Sequence, residues 1–400
     1  MNKQAYISVD TESQLQHFCQ QIINNPEITW IAIDTEFVRV DTFFPELSLV
    51  QIQDCFGQAA IIDPILIQQS ADKDNKGQCL QPLVDLLTDA NTLKVFHSAR
   101  QDIEVLYQLA HKLPVSIFDT QIATLFLKHG EMAGFGRVVL EELGISIDKS
   151  QTRTNWHARP LTDDQIEYAL DDVRYLAPLY EACLKKLTPE QISAVAEDCL
   201  AMLDESLYIH DPKAAGQKMK GTKGYKPKQL AIVYALAEWR EQFAIDNNRP
   251  KRWVMSDDVI TQISKRPPKT VEALYKVPHI KSSSVKGYGE EWIELIDQVF
   301  ALSPEQWPQP APKATSPTPQ ENVLIQLCLS YAHQVVIDYR LTMHSLMQPH
   351  DILHIMHQER PEKPILSGWR NQLIGQEFLA ILSGQKSVNV INNKIVLSNS

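Results

Sequence analysis

The chain has 400 residues, 44% of them hydrophobic and 22% charged, with a formal net charge of −11. Such a length implies two or three domains with real cores, the composition is ordinary for a soluble globular protein, and no apolar run is long enough to span a bilayer. No apolar run follows Lys3 as a secretory signal would require, and six scattered Cys without a Cys-x-x-Cys pair speak against a zinc or disulfide framework and for reduced thiols in the cytoplasm.

In chain order, Ile28–Phe37, Leu47–Gln53, Ala59–Ile65, Leu93–His97 and the short Val115–Phe118 read as strands. Leu80–Leu87, Ile103–Leu109 and Gln121–Leu127 show helical spacing. A first antiparallel set followed by alternating strands and helices predicts an α/β domain, a mixed central sheet flanked by helices, over residues 1–210. Val138–Leu143 reads as a short helix ended by Gly144. Thr162 and Gln165 form a capping box that opens a helix. Its apolar stripe, Ile166, Ala169, Leu170, Val173, Leu176 and Leu179, runs to about Leu187 with a kink at Pro178.

Asp211–Lys228 is polar and rich in Gly and Lys, as a linker would be. Ile232, Leu236, Trp239 and Phe243 then mark an amphipathic helix, the first of a small all-α domain over 211–302. A Pro-rich linker follows at 303–320, within a stretch (301–320) that holds six of the 23 Pro, and helical patterns resume over 321–395. Gly289–Ile296 resembles Gly375–Leu382, and Arg266–Lys269 resembles Arg360–Lys363 in the same order, which predicts a duplicated helical domain.

Charge divides along these lines. Residues 1–211 carry net −17, residues 212–286 net +10 and residues 287–400 net −4. An acidic domain is joined to a basic one, and +10 over 75 residues is the footprint of a polyanion-binding surface. The second helical copy, 321–400, is neutral overall.

The chemistry starts at Asp34 and Glu36. In a strand they share one face while Thr35 takes the other, and two like charges side by side call for a divalent cation. Asp102 follows the strand Leu93–His97. Ser98 and Gln101 form a capping-box pattern that places Asp102 in the first turn of a helix, where it either serves a site at the strand end or answers the helix dipole. Tyr168 and Asp172 are one turn apart on the capped helix and converge on one point; Asp171 lies near the same face, and geometry alone does not choose between them. Four carboxylates of this kind would hold two Mg²⁺ or Mn²⁺ ions, the pair that clamps an in-line phosphoryl displacement, with a Tyr hydroxyl to orient the attacking water. Gly216–Lys223 imitates a P-loop with Thr and Lys in the wrong order and no strand before it, so ATP is not expected, and no His-Glu-x-x-His marks a zinc hydrolase.

The set Asp34-x-Glu36, Asp102 and Tyr168-x-x-x-Asp172 resembles the DEDDy 3′→5′ exonucleases. His97–Asp102, Asp148–Trp156 and Ala158–Leu161 resemble bacterial ribonuclease D, residues 222–300 its helical HRDC domain, and 321–390 a degenerate second HRDC copy. The resemblance implies an RNase H-like fold and a metal-dependent 3′→5′ exoribonuclease that releases nucleoside 5′-monophosphates, with tRNA precursors as substrates. It implies that Asp34 bridges both metals, that Glu36 and Asp172 bind the water-activating one, that Asp102 holds the second, and that Tyr168 positions the nucleophile. The family spacing selects Asp172 over Asp171.

For gripping RNA, Phe37 and His97, which adjoin the acidic motifs, are expected to meet the terminal nucleotide. Trp156, Arg153 and Arg159 lie near the third motif, and Trp253 stands beside Lys251 and Arg252 in the basic domain, whose Trp239 is expected in the core. A nuclease acting on DNA and a non-catalytic RNA-binding adaptor are the alternatives. The complete ligand set speaks against the adaptor, since binding alone has no use for four mutually repelling carboxylates.

Overall fold

A computed structural model describes residues 5–72, 77–127, 129, 132–148, 150–151, 154–310 and 316–400. The chain forms two compact units: Met1–Phe37, Leu47–Leu207 and Thr315–Ser400 make one, Val38–Glu46 and Tyr208–Ala314 the other. Among the described residues no helix is long and apolar enough to cross a membrane.

The first unit is built on a six-stranded mixed sheet of β1 (Ile7–Val9), β2 (Trp30–Val38), β3 (Glu46–Asp54), β4 (Ala59–Ile62), β5 (Leu93–Phe96) and β6 (Ile117–Asp119), in the order β1-β4-β3-β2-β5-β6. β3 and β4 are antiparallel; β1 runs parallel to β4, and β2, β5 and β6 run parallel to one another. The expected mixed sheet is present, but β1 and α1 (Glu12–Ile23) were not among the expected elements, although the spacing of Leu15, Phe18, Cys19 and Ile22 is helical. β1 has three residues, and α1, opened by a Thr11/Gln14 capping box, buries those four side chains. β4 stops at Ile62 rather than Ile65, because the Asp63 carboxylate caps Ile65 and Leu66 N–H and Pro64 starts a helix, Pro64–Ser70.

Two later helices position the site. α2 (Arg100–Ala110) follows β5, and α3 (Asp163–Lys186) is opened by the anticipated capping box, Thr162 with Gln165. Gln165 also ties the preceding segment by donating to Thr154 Oγ1 at 3.1 Å. Pro178 lies inside α3, whose buried stripe includes Ala169, Leu170, Val173, Leu176 and Leu179. Next along the chain, α4 (Pro189–Leu200) carries Asp198, on which the C-terminal part of the unit is fastened. Arg370 forks onto Asp198 at 2.6 and 2.9 Å, and the Trp369 indole N–H donates to the same carboxylate at 3.1 Å.

That C-terminal part resumes the helices at Pro319–Tyr339 and ends in an antiparallel hairpin, Lys386–Ile391 with Lys394–Asn399, which the helical patterns did not predict. Its two-residue turn, Asn392-Asn393, has positive φ at both positions (50° and 61°), the conformation that matches hairpin twist and that Asn tolerates.

In the second unit the helix Pro227–Asp246 packs with Asp257–Lys265 and Ser282–Ala301 around Leu230, Val233, Leu236, Ile260, Ile263, Trp292 and Ile296. Trp239 is half-buried there, its ring 5.3 Å from Phe243 and 5.7 Å from Trp292, with its N–H donated to Glu291 at 2.8 Å. Gly289 marks a close approach: a Cβ there would meet Val271 at 3.0 Å. Gly375, its counterpart in the sequence repeat, is tighter still, since a Cβ would lie 2.2 Å from the Ile365 carbonyl.

Candidate active site

β2 and β5 pair only from Trp30↔Leu93 to Ala32↔Val95. Asp34, Thr35 and Glu36 therefore run past that ladder, at the carboxyl ends of parallel strands where open α/β sheets gather functional groups. α3 delivers the third carboxylate: oxygens of Asp34, Glu36 and Asp172 all lie within 4.8 Å of one another. Asp171, which the helix geometry left as an alternative, instead has its carboxylate 4.0 Å from Arg174 Nη1.

Asp102 stands beside this group. It is 8% exposed, and its Oδ1 accepts the Thr35 hydroxyl at 2.6 Å. The Ser98/Gln101 capping box does not form: the helix is capped at Ala99 without a side-chain bond, and Ser98 lies at φ 67°. A tertiary partner replaces it, since Asp119 accepts the N–H groups of both Ser98 and Ala99. Thr35 and Asp119 are the residues that sequence reasoning missed. Neither is visible as a motif, because each acts on a segment distant in the chain.

The electrostatics follow from crowding four acids together, with Asp102 buried and Asp34, Glu36 and Asp172 half-buried. Burial, then the charges of Asp34, Asp172 and Asp102, pushes Glu36 up to about 10. Burial, then Asp171 and Asp102, raises Asp172 to about 7. Asp34 and Asp102 are also raised well above the usual carboxylate range, first by burial and next by Asp172 and by Asp34 respectively. Groups raised on folding stabilise the protein at low pH, and that stabilisation is lost as pH climbs through the folded-state values. In chelator the melting temperature should thus fall between pH 6 and pH 9, by roughly 5 °C, and millimolar Mg²⁺ should abolish the fall. Parallel melting curves with and without the cation across that range would contradict this origin for the pH dependence.

Tyr168 lies one turn before Asp172 on α3, its ring 5.9 Å from the Trp156 indole. Trp156 is only 3% exposed. It backs Tyr168 and offers no face to a substrate, which corrects the expectation that it binds one. His97 is half-buried, with Nε2 2.9 Å from the Ala133 carbonyl and Nδ1 2.9 Å from Thr120 Oγ1. The carbonyl can only accept, so Nε2 carries the proton, and only the ring face remains for a nucleotide. Burial lowers the His97 pKa. Phe37 is half-buried at the end of β2. Arg159 is held by Asp63 and by the Ser48 and Trp156 carbonyls, while Arg153 lies outside the described residues. In the second unit Trp253 is 51% exposed and lines a cleft of about 380 Å³ with Phe243, Arg249, Lys281, Ser283 and Tyr288.

Comparison with known proteins points the same way. Residues 6–188 match a family described as 3′-5′ exonuclease, and residues 229–296 match the HRDC domain. Ribonuclease D of Zymomonas mobilis is 32% identical across 92% of this chain and 93% of its own. Ribonuclease D of Pseudomonas paraeruginosa is 32% identical across 93% of this chain and 96% of its own. The crystal structure of Escherichia coli RNase D, described as an exoribonuclease involved in structured RNA processing, superposes with a TM-score of 0.81 at 26% identity, covering 95% of this chain and 99% of that one. The catalytic core of RRP6 from Trypanosoma brucei shares the fold at 21% identity and a TM-score of 0.58, covering 75% of this chain and 81% of that one.

Proposed function

This chain belongs to the ribonuclease D family and is a 3′→5′ exoribonuclease; we propose that it is metal-dependent and trims the 3′ ends of tRNA precursors and other structured RNAs in the cytoplasm. The observation that carries the metal reading is the cluster of Asp34, Glu36 and Asp172, an all-oxygen donor set suited to Mg²⁺ or Mn²⁺. Its raised carboxyl pKa values are what a site that trades protons for cations has before the cations arrive. Asp34, Glu36 and Asp172 would hold one ion, and Asp34 with Asp102 the other. Cations bound there would neutralise the pocket for an anionic backbone and would lower the pKa of water.

The remaining work falls to the chain itself. The Tyr168 hydroxyl orients the attacking water, held in place by Trp156 behind its ring. The oxygen of that water forms the new bond to phosphorus and the 3′-oxygen of the penultimate nucleotide leaves, so the product is a nucleoside 5′-monophosphate. Trp253 and the cations around its cleft are read as part of the RNA grip, together with the +10 charge of residues 212–286. Phe37 and the face of His97 are assigned to the terminal nucleotide. Residues 1–210 are read as the exonuclease domain, 211–302 as the HRDC domain, 303–320 as a linker and 321–395 as its degenerate copy, supported by the repeated Gly289 and Gly375 close approaches. All six cysteines are free, which suits a reducing compartment.

Digestion of a 3′-extended tRNA tests the proposal. With Mg²⁺, the extension should shorten stepwise and 5′-monophosphates accumulate, and excess chelator should stop the reaction. Trimming that continues undiminished in chelator, or faster digestion of a DNA oligonucleotide of equal sequence, would overturn it.

A further inference from the structure

The junction that delivers Asp102 hangs on one carboxylate outside the acidic cluster. Asp119 ends β6 opposite Phe96, the last residue of β5, and is 2% exposed. Its Oδ1 accepts the N–H groups of Ser98 at 2.9 Å and Gln121 at 2.7 Å, and its Oδ2 accepts the N–H of Ala99 at 2.8 Å. Its own N–H donates to Cys199 Sγ at 3.2 Å, which ties β6 to α4. The neighbouring Thr120 hydroxyl donates to the Phe96 carbonyl at 3.0 Å and lies 2.9 Å from His97 Nδ1. The three residues that turn the chain from β5 into α2 are therefore pinned from β6 and its continuation, not by a cap of their own.

The pinning has a visible object. Ser98 sits at φ 67°, a left-handed conformation that a serine adopts when its surroundings hold it there. Ala99 caps α2 without a side-chain bond, and Asp102 follows less than one turn later. Any relaxation of the Ser98 and Ala99 amides is thereby passed along a rigid first turn to the Asp102 carboxylate. The Ala99 N–H is buried and the Ser98 N–H partly so, and N–H groups facing a buried carboxylate form strong, charge-assisted bonds.

We propose that Asp119 is a positioning residue of this exoribonuclease: by holding the Ser98 and Ala99 amides it sets where Asp102 meets Thr35 beside Asp34. The inference rests on the reading of the carboxylates as a cation site, and the experiment separates the two. In the full-length protein, Mn²⁺ affinity is measured by calorimetry without RNA, and kcat and KM on a 3′-extended RNA, for wild type, Asp119→Asn and Asp119→Ala, each well below its melting temperature. Asp119→Asn keeps one oxygen acceptor but sets an NH₂ group against Ala99 N–H. It should bind Mn²⁺ and turn over roughly tenfold less well, and Asp119→Ala roughly 100-fold, with KM for RNA unchanged, the scale on which outer-shell partners act.

A merely structural role would lower the melting temperature and leave the Mn²⁺ affinity and kcat of the folded protein at wild-type values, and that result overturns the inference. If Asp119→Ala does not fold, Asp119→Asn carries the test alone, by the same two readouts. A wild type that binds no Mn²⁺ overturns the cation-site reading and this inference with it. A wild type that binds it as tightly as both variants overturns only the inference.

Discussion

Asp34→Asn should reduce kcat by roughly 10³-fold or more while making the cation-free protein more stable, not less. Asp34 belongs to the three-carboxylate group, and losing one ligand removes several kcal/mol of transition-state stabilisation. Its charge is also penalised by burial and by Asp172. An amide of the same shape relieves that repulsion and can donate to the neighbouring carboxylates. At pH 8 in chelator the variant should melt a few degrees above wild type, and Mg²⁺ should shift it little. A variant that is both inactive and unfolded would indicate a structural role for Asp34. A variant with full activity would move the chemistry elsewhere.

Arg370→Ala should cost about 3 kcal/mol and loosen the C-terminal helices first, because removing one partner of a buried ion pair strands the other. Arg370 is 4% exposed. Besides its two bonds to Asp198 it donates Nε to the Ser345 carbonyl at 2.9 Å, and its guanidinium lies 4.2 Å from the Trp369 ring. Trp369 N–H in turn donates to Glu197 at 3.0 Å. Hydrogen exchange is the appropriate readout, since a chain with two units need not unfold in one step. Amides of Pro319–Tyr339 and of α4 should lose protection together. The paired substitution Arg370→Met with Asp198→Leu should recover most of the loss, as an apolar contact carries no stranded charge. Equal loss of protection in single and double variants would contradict the ion pair as its source.

What could be read from the sequence was what depends on neighbours along the chain. Strand alternation placed Asp34 and Glu36 on one face, and the Thr162/Gln165 box opened α3 where it does open. The choice of Asp172 over Asp171 needed the family spacing; in the structure the Asp172 carboxylate lies with those of Asp34 and Glu36, and that of Asp171 lies 4.0 Å from Arg174. The failures around the site share a cause. Ser98 and Gln101 carry a local capping pattern, but Asp119 lies on the adjacent strand and offers the same amides a buried carboxylate, so the tertiary partner wins. Thr35 looked like the idle residue between two acids, and only the approach of α2 turns its hydroxyl toward Asp102. Trp156 was a candidate only through its nearness to the third motif, and its burial beside Tyr168 of α3 is not written in its chain neighbours. The terminal hairpin did leave a trace, an Asn-Asn turn between the alternating Val388, Val390, Ile395 and Leu397, which the helical patterns before it obscured.

The central claim is that the acids at the end of β2 and on α3 form a cation site for RNA hydrolysis. Calorimetric titration of Mn²⁺ into wild type and Asp34→Asn, at pH 8 and without RNA, tests it most directly. The claim predicts saturable binding to wild type and no more than background heat with the variant. Identical isotherms from the two proteins would contradict it.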